Sequence, residues 1–86
     1  MMSVRGLSNR FLAAMRFKLN VGYRKGNTGW DEHWNNGCST TWLLGRMQAE
    51  TNELLLAISK GDPNEILSEC ADVANFAMFI ADKTKP

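Results

Sequence analysis

The sequence has few of the residues on which metal-sulfur, serine-type or P-loop chemistry depends. Its two cysteines, Cys38 and Cys70, form no CxxC pair, and its single histidine, His33, has no partner at the spacing of zinc ligands. No Ser-His-Asp triad is indicated around that histidine, and neither a Walker A motif nor a GxGxxG motif is present. These absences argue against zinc proteins, serine hydrolases and proteins with glycine-rich phosphate loops.

An excess of charge of one sign and a long hydrophobic run are also missing. Ten basic and nine acidic residues leave a formal net charge of +1, which favours neither nucleic acid nor an anionic membrane as a partner. The apolar stretch 73–81 is far shorter than the roughly 20 residues that span a bilayer, and no apolar leader is evident. We expect one small domain over residues 1–86, in a reduced, cytoplasmic setting, with no nucleic-acid or membrane partner.

Helical spacing of apolar residues begins near the N-terminus. Ser8 or Asn9 is predicted to cap a first helix, which the pattern carries to about Asn20 before Gly22 ends it. Residues 22–38 are rich in glycine, asparagine and tryptophan and are predicted to form a loop. A loop of that length in a small domain usually has a function.

A second helix is predicted after this loop. It begins at Ser39 or Thr40 and ends near Lys60, where Gly61 provides a C-terminal stop.

The third helix has the clearest start signal. Asp62 is its predicted N-cap, Pro63 occupies the first helical position, and Glu65 completes a capping box. The helix extends to about Asp82. Because convincing strand alternation is missing, the sequence predicts an all-α fold with three main helices, of which the last two form an αα-hairpin.

Four carboxylates form two matched pairs on the second and third helices. Glu50 and Glu53 are three residues apart, as are Glu69 and Asp72, so each pair points to one side of its own helix. Both pairs lie on or beside the apolar arc of the helix, where unpaired carboxylates are costly. If the helices pack antiparallel, the four side chains converge on one spot that suits a hard cation such as Mg²⁺.

Other interpretations of these acids remain open. They could form salt bridges with Arg46, Lys18 or Lys25, or lie at a solvated rim. For a single ExxE or ExxD motif that interpretation is the more common one, whereas two such pairs on successive helices favour a bound cation.

The acidic pattern resembles the signature of the MazG-like nucleotide pyrophosphohydrolases, an all-α superfamily of NTP pyrophosphatases. The matching segments are 49–54, with the sequence AETNEL, and 69–73, with the sequence ECADV. The loop segment KGNTGW at 25–30 is similar to a Lys-Gly…Trp element of short members, and the resemblance covers about residues 10–82. Many members carry a doubled acid at the start of each motif, where this chain has Ala49-Glu50 and Ser68-Glu69.

This resemblance implies a magnesium-dependent enzyme, with Mn²⁺ as a possible substitute. It would hydrolyse (deoxy)nucleoside triphosphates between the α and β phosphorus atoms to monophosphate and pyrophosphate, as a house-cleaning activity on the nucleotide pool. Glu50, Glu53, Glu69 and Asp72 would hold the metal, and Glu53 is the expected proton acceptor for the attacking water.

Four further residues are candidates for substrate binding. Lys25 could contact phosphate, or be an ordinary exposed lysine; Trp30 could stack on the base, or anchor the core. Arg46 could contact phosphate, although a pair with Glu50 one turn away is the simpler account. Asn75 lies one turn beyond Asp72 and could bind the nucleotide sugar or a water at the metal.

The third helix is apolar almost all round and needs cover on most sides. We therefore expect a homodimer in which helices of two subunits complete a four-helix bundle, and the resemblance implies dimers or dimers of dimers, that is, homotetramers. The main alternative function is a non-catalytic helical oligomerisation or partner-binding module that keeps the acids as a vestige. Within the enzyme class, a phosphoribosyl-ATP pyrophosphatase-like or a dCTP/dUTP-specific activity is the alternative.

Overall fold

A computed structural model describes residues 3–24 and 39–84 of the chain. Within these ranges it contains three helices, α1 (Val4–Arg24), α2 (Thr40–Lys60) and α3 (Pro63–Lys83), and no strand. The expectation of an all-α fold with three main helices is confirmed.

The bounds of α1 differ from those expected. Ser3 rather than Ser8 or Asn9 caps the helix, since its hydroxyl accepts a hydrogen bond from the Gly6 amide at 3.0 Å. Gly22 does not end the helix but lies inside it, partly buried. It stands seven residues beyond the buried Met15 on the same face, so packing of that face outweighs the cost of about 1 kcal/mol for a helical glycine.

The ends of the other two helices follow the local signals. The Ser39 side chain accepts a hydrogen bond from the Trp42 amide at 3.1 Å. Gly61 adopts the left-handed conformation, with a φ of 77°, and its amide donates to the Ala57 and Ile58 carbonyls. This conformation is one that glycine adopts without the steric cost of a Cβ atom, so the predicted helix stop is confirmed.

The start of α3 is also as predicted, with one difference. Asp62 caps the helix by accepting a hydrogen bond from the Asn64 amide at 3.0 Å, and Pro63 is the first helical residue. Glu65 does not return to the Asp62 amide within the described residues. Its carboxylate instead lies 3.6 Å from the Lys60 ammonium across the turn, so the expected capping box is replaced by an ion pair.

The α2–α3 hairpin carries the centre of the core. Leu43 on α2 and Phe79 on α3 are buried together, with Leu19, Phe76 and Ile80 packed against them. The Phe76 and Phe79 rings meet edge to face, with their centroids 5.8 Å apart.

Helix α3 lies between the other two helices. It packs on both α1 and α2, whereas no Cα atoms of α1 and α2 lie within 8 Å of one another in the described residues. Asn75 on α3 is buried and donates a hydrogen bond from Nδ2 to the Met15 carbonyl of α1 at 3.1 Å. The two flanking helices are thus arranged around α3, which presents its residues to both.

Large apolar side chains remain exposed, mainly on the flanking helices. Among the described residues of α3 only Met78 is a large exposed hydrophobic, because α1 and α2 cover most of its apolar surface. The other exposed large hydrophobics lie on α1 (Val4, Leu7, Leu12, Phe17) and α2 (Trp42, Leu44, Leu55, Leu56, Ile58). None of the described helices combines the length and apolar character needed to traverse a lipid bilayer.

Candidate metal centre

Three carboxylates meet at the interface of α2 and α3. Glu50 contributes one oxygen from α2, and Glu69 and Asp72 contribute one each from α3, all within 4.8 Å of one another. We call these three residues the acidic cluster. It forms because Glu69 and Asp72 are one turn apart on α3, and the hairpin sets Glu50 opposite them.

Glu53 lies outside this cluster. Counted at about 100° per residue, Glu50 points within about 20° of the buried Leu43, whereas Glu53 points about 80° away from it. Its side chain is accordingly exposed. Its charge still reaches the site, since Glu53 helps to raise the pKa values of both Glu50 and Glu69. The roles of Glu53 as fourth ligand and as proton acceptor remain predictions.

The surroundings of Glu50 and Glu69 disfavour their charged forms. Burial is the main cause that raises the pKa of each carboxyl group, and the neighbouring charge of Asp72 is the next. Arg46 and Lys18 act in the opposite direction on Glu50. Gathering the carboxylates therefore costs free energy in the metal-free protein.

Two cationic side chains partly neutralise the acidic cluster. The Arg46 guanidinium lies 3.2 Å from Oε1 of Glu50, and the Lys18 ammonium lies 3.4 Å from Oδ2 of Asp72. Arg46 also lies over the Phe76 ring, with 5.8 Å between its Cζ atom and the ring centroid, which holds the guanidinium beside α3. The salt-bridge interpretation therefore applies to two of the three acids.

Glu69 is the member without such a partner. Its Oε2 atom is buried and accepts no hydrogen bond from any described residue. A buried carboxylate oxygen without a donor is costly, and either a proton on the carboxyl group or a cation beside it would relieve that cost. Three carboxylates offer oxygen atoms alone, which is the donor set that Mg²⁺ prefers. The residues present therefore fit a hard divalent cation.

Asn75 lies one turn beyond Asp72 on α3. Its Nδ2 atom is used in the hydrogen bond to Met15, whereas its Oδ1 atom is buried without a donor among the described residues. This amide therefore has an acceptor to offer. Its first role in the structure, however, is to join α1 to α3.

Of the three remaining residues predicted to bind substrate, the structure describes the position of one. Arg46 is at the acidic cluster, whereas Lys25 and Trp30 fall outside the described residues. Lys18 was considered only as a possible salt-bridge partner, yet its side chain joins α1 to the acidic cluster. Its sequence context offers no signal for this, because the contact spans more than 50 residues of chain and depends on how α1 packs.

In comparisons with known proteins, no family model, no curated protein and no solved structure matches the chain. The resemblance to MazG-like proteins therefore rests on the sequence motifs alone.

Proposed function

We propose that the chain is a magnesium-dependent nucleoside triphosphate pyrophosphohydrolase of MazG-like type. The observation that carries this proposal is the acidic cluster, in which carboxylate oxygens of Glu50, Glu69 and Asp72 lie within 4.8 Å of one another. The buried Oε2 atom of Glu69, which has no donor among the described residues, supports the assignment of a cation to this position.

The acidic cluster would hold the ion, with Mn²⁺ as a possible substitute. A bound divalent cation supplies charge neutralisation for phosphate oxygens and a more acidic water. Glu53 is exposed beside the cluster, so its carboxylate is open to solvent and is assigned the proton of the attacking water. The products would be a nucleoside monophosphate and pyrophosphate, as expected for an enzyme that clears unwanted nucleotides from the pool.

The side chains around the cluster are suited to the rest of the substrate. Arg46 would exchange part of its contact with Glu50 for a phosphate oxygen, since a guanidinium binds both groups well. The Oδ1 atom of Asn75 is buried without a donor among the described residues, and it would accept a hydrogen bond from a water or a sugar hydroxyl once a local opening admits one. Lys25 and Trp30 are assigned to a phosphate and to the base, respectively, on the resemblance alone.

A second copy of the chain would complete the assembly. Apolar side chains such as Leu55 on α2, which is 65% exposed, lie on a flanking helix whose one packed neighbour among the described helices is α3. Covering such surfaces with helices of another subunit would give a four-helix bundle as a homodimer, or a homotetramer made from two dimers.

A panel of canonical and modified dNTPs, incubated with Mg²⁺ and analysed for monophosphate and pyrophosphate, tests the activity. At least one dNTP is expected to yield pyrophosphate, and the Glu69→Gln variant is expected to lose that activity. Pyrophosphate release from none of them would refute the catalytic proposal. The same panel separates a general activity from a dCTP/dUTP-specific one, and phosphoribosyl-ATP is added as a further substrate.

A non-catalytic helical module is the second candidate. The observation in its favour is that Arg46 and Lys18 already neutralise two acids of the cluster without any metal. Thermal unfolding with and without Mg²⁺ or Mn²⁺ distinguishes the two candidates. An enzyme with a metal centre gains stability from the ion, whereas a module with vestigial acids does not.

A further inference from the structure

A cleft of about 390 Å³ lies between α1 and the first turns of α3, next to the acidic cluster. A volume of this size can hold a small molecule, and the cleft is open to solvent rather than enclosed. The side chains that decide its character are Arg10, Phe17 and Lys18 from α1 and Asn64, Leu67 and Ser68 from α3.

The cleft and the acidic cluster share Lys18 as a neighbour. Lys18 lines the cleft, and the same side chain lies 3.4 Å from Oδ2 of Asp72. On the other wall, Ser68 directly precedes Glu69 and stands one turn before Asp72 on α3. A molecule that binds a metal ion at the cluster therefore has the cleft beside it.

The lining of the cleft has one sign of charge and a largely apolar surface. Arg10 and Lys18 are its charged residues, and among the residues that the structure describes no carboxylate belongs to the lining. Phe17 contributes an aromatic ring that is 65% exposed, with Leu67 on the facing helix. This combination suits a ligand that is anionic at one end and flat and apolar at the other.

We propose that this cleft receives the base and sugar of the nucleotide, and that Lys18 at its inner end contacts a phosphate. This inference rests on the proposed function, because the metal at the acidic cluster sets the position of the phosphates. The base would lie with one face against Phe17, which leaves its other face for the Trp30 contact assigned on the resemblance. Lys18 would divide its charge between Asp72 and the phosphate.

Two substitutions test separately the contacts proposed for the two ends of the ligand. Ala13 is exposed and lines the cleft, so Ala13→Trp fills the cleft without disturbing the core. Lys18→Met removes the charge at the inner end and keeps most of the side-chain volume. Ala77→Trp is the matched control, because Ala77 is an exposed helical alanine that does not line the cleft.

Binding is measured by calorimetry with three probes: Mn²⁺ alone, inorganic tripolyphosphate with Mg²⁺, and the α,β-imido analogues of the four dNTPs with Mg²⁺. Ala13→Trp is expected to weaken the nucleotide analogues about tenfold or more, as for the loss of a stacked base, and to leave Mn²⁺ and tripolyphosphate unchanged. Lys18→Met is expected to weaken both phosphate-bearing probes. The control is expected to behave like the wild type.

Each other outcome has a distinct meaning. If the wild type binds the nucleotide analogues and Ala13→Trp binds them equally well, the cleft assignment is overturned and the proposed function stands. The same holds if Ala13→Trp weakens tripolyphosphate as much as the nucleotides, or if a second copy of the chain proves to fill the cleft in solution. If the wild type neither binds nor hydrolyses any nucleotide, the proposed function fails and the cleft assignment fails with it.

Discussion

The ammonium group of Lys18 on α1 lies 3.4 Å from Oδ2 of Asp72 on α3, so a cation of the protein itself stands at the edge of the acidic cluster. This ion pair joins two helices that are distant in sequence, and it places a positive charge where a metal ion would have to approach. We therefore expect Lys18 to weaken the binding of cations at the acidic cluster and to strengthen the binding of phosphates.

The Lys18→Met variant is expected to bind Mn²⁺ more tightly than the wild type. Removal of a positive charge from the neighbourhood of the cluster relieves repulsion of about 1 kcal/mol, which corresponds to about fivefold in affinity. Calorimetric titration with Mn²⁺ measures this. Lys60→Met, which breaks the ion pair with Glu65 at the turn, is the control and should leave the affinity unchanged. Weaker Mn²⁺ binding in Lys18→Met would contradict the expectation.

Glu69→Gln is expected to abolish most of the metal-induced stabilisation. The substitution preserves the shape of the side chain but removes the charge of the buried carboxylate, so Mn²⁺ affinity should fall about tenfold or more. The metal-free variant should be at least as stable as the wild type, because a neutral side chain avoids the cost of burying a charge and the repulsion from Asp72 and Glu50. Thermal unfolding with and without Mn²⁺ checks both. Glu65→Gln, outside the cluster, serves as control, and an undiminished response in Glu69→Gln would exclude this residue as a ligand.

Glu50 and Glu69 are expected to contribute less stability to the metal-free protein as the pH rises above 4.5. Burial raises the folded-state pKa values of Glu50 and Glu69 above 4.5, so the folded state binds more protons than the unfolded state just above this pH. Their contribution to stability is complete below pH 4.5 and is lost as the pH rises through the folded-state pKa values.

Urea unfolding in the presence of a chelator, repeated from pH 4.5 towards neutrality, measures this contribution. The double variant Glu50→Gln/Glu69→Gln should show a flatter pH dependence than the wild type, which isolates these two groups from all others. Identical pH profiles for the two proteins would refute the prediction.

Asn75→Ala is expected to destabilise the protein by about 1–3 kcal/mol. The substitution leaves the Met15 carbonyl without its donor at a buried contact between α1 and α3. Urea unfolding gives the free energy of unfolding, and Asn52→Ala at an exposed position of α2 is the matched control. A variant as stable as the wild type would show that the amide contributes no net stability to the α1–α3 contact.

Acidic substitutions on the exposed face of α2 are expected to reduce the oligomeric state. Leu55 and Ile58 are 65% and 55% exposed and lie within about 60° of one another around the helix. If a second subunit covers them, Leu55→Glu/Ile58→Glu should convert a dimer or tetramer to a monomer, because a buried glutamate is costly. Analytical ultracentrifugation measures the mass, with Val4→Glu on α1 as control. A wild type that sediments as a monomer would refute the expected assembly.

The features that the sequence predicts correctly are those that depend on contacts between residues close together in the chain. Ser39, Gly61 and Asp62 act on residues within four positions, so the hairpin and its turn are readable from local chemistry. The three-residue spacing of Glu69 and Asp72 likewise brings their oxygens together without knowledge of the rest of the fold. The antiparallel packing of the hairpin then places Glu50 of α2 opposite these two residues.

The less predictable part depends on packing between distant segments. The partners of Lys18 and Met15 on α3 follow from the position of α1, which no local pattern encodes. The same is true of Gly22, whose local preference to end a helix is outweighed by the packing of its face. Glu53 has the same three-residue spacing from Glu50 but lies about 60° further from the buried Leu43, so the spacing alone does not decide which acids converge.

Helix α3 is the one described helix whose backbone closely approaches that of α1. An excursion of α1 away from α3 therefore leaves the main hairpin contacts in place, and it removes Lys18 from Asp72 and the Asn75 amide from Met15 in a single movement. Such partial opening requires less free energy than global unfolding. Undocking of the first helix would thus take a cation of the protein away from the carboxylates and leave them to attract ions from solution, and whatever tightens its docking keeps that cation in place.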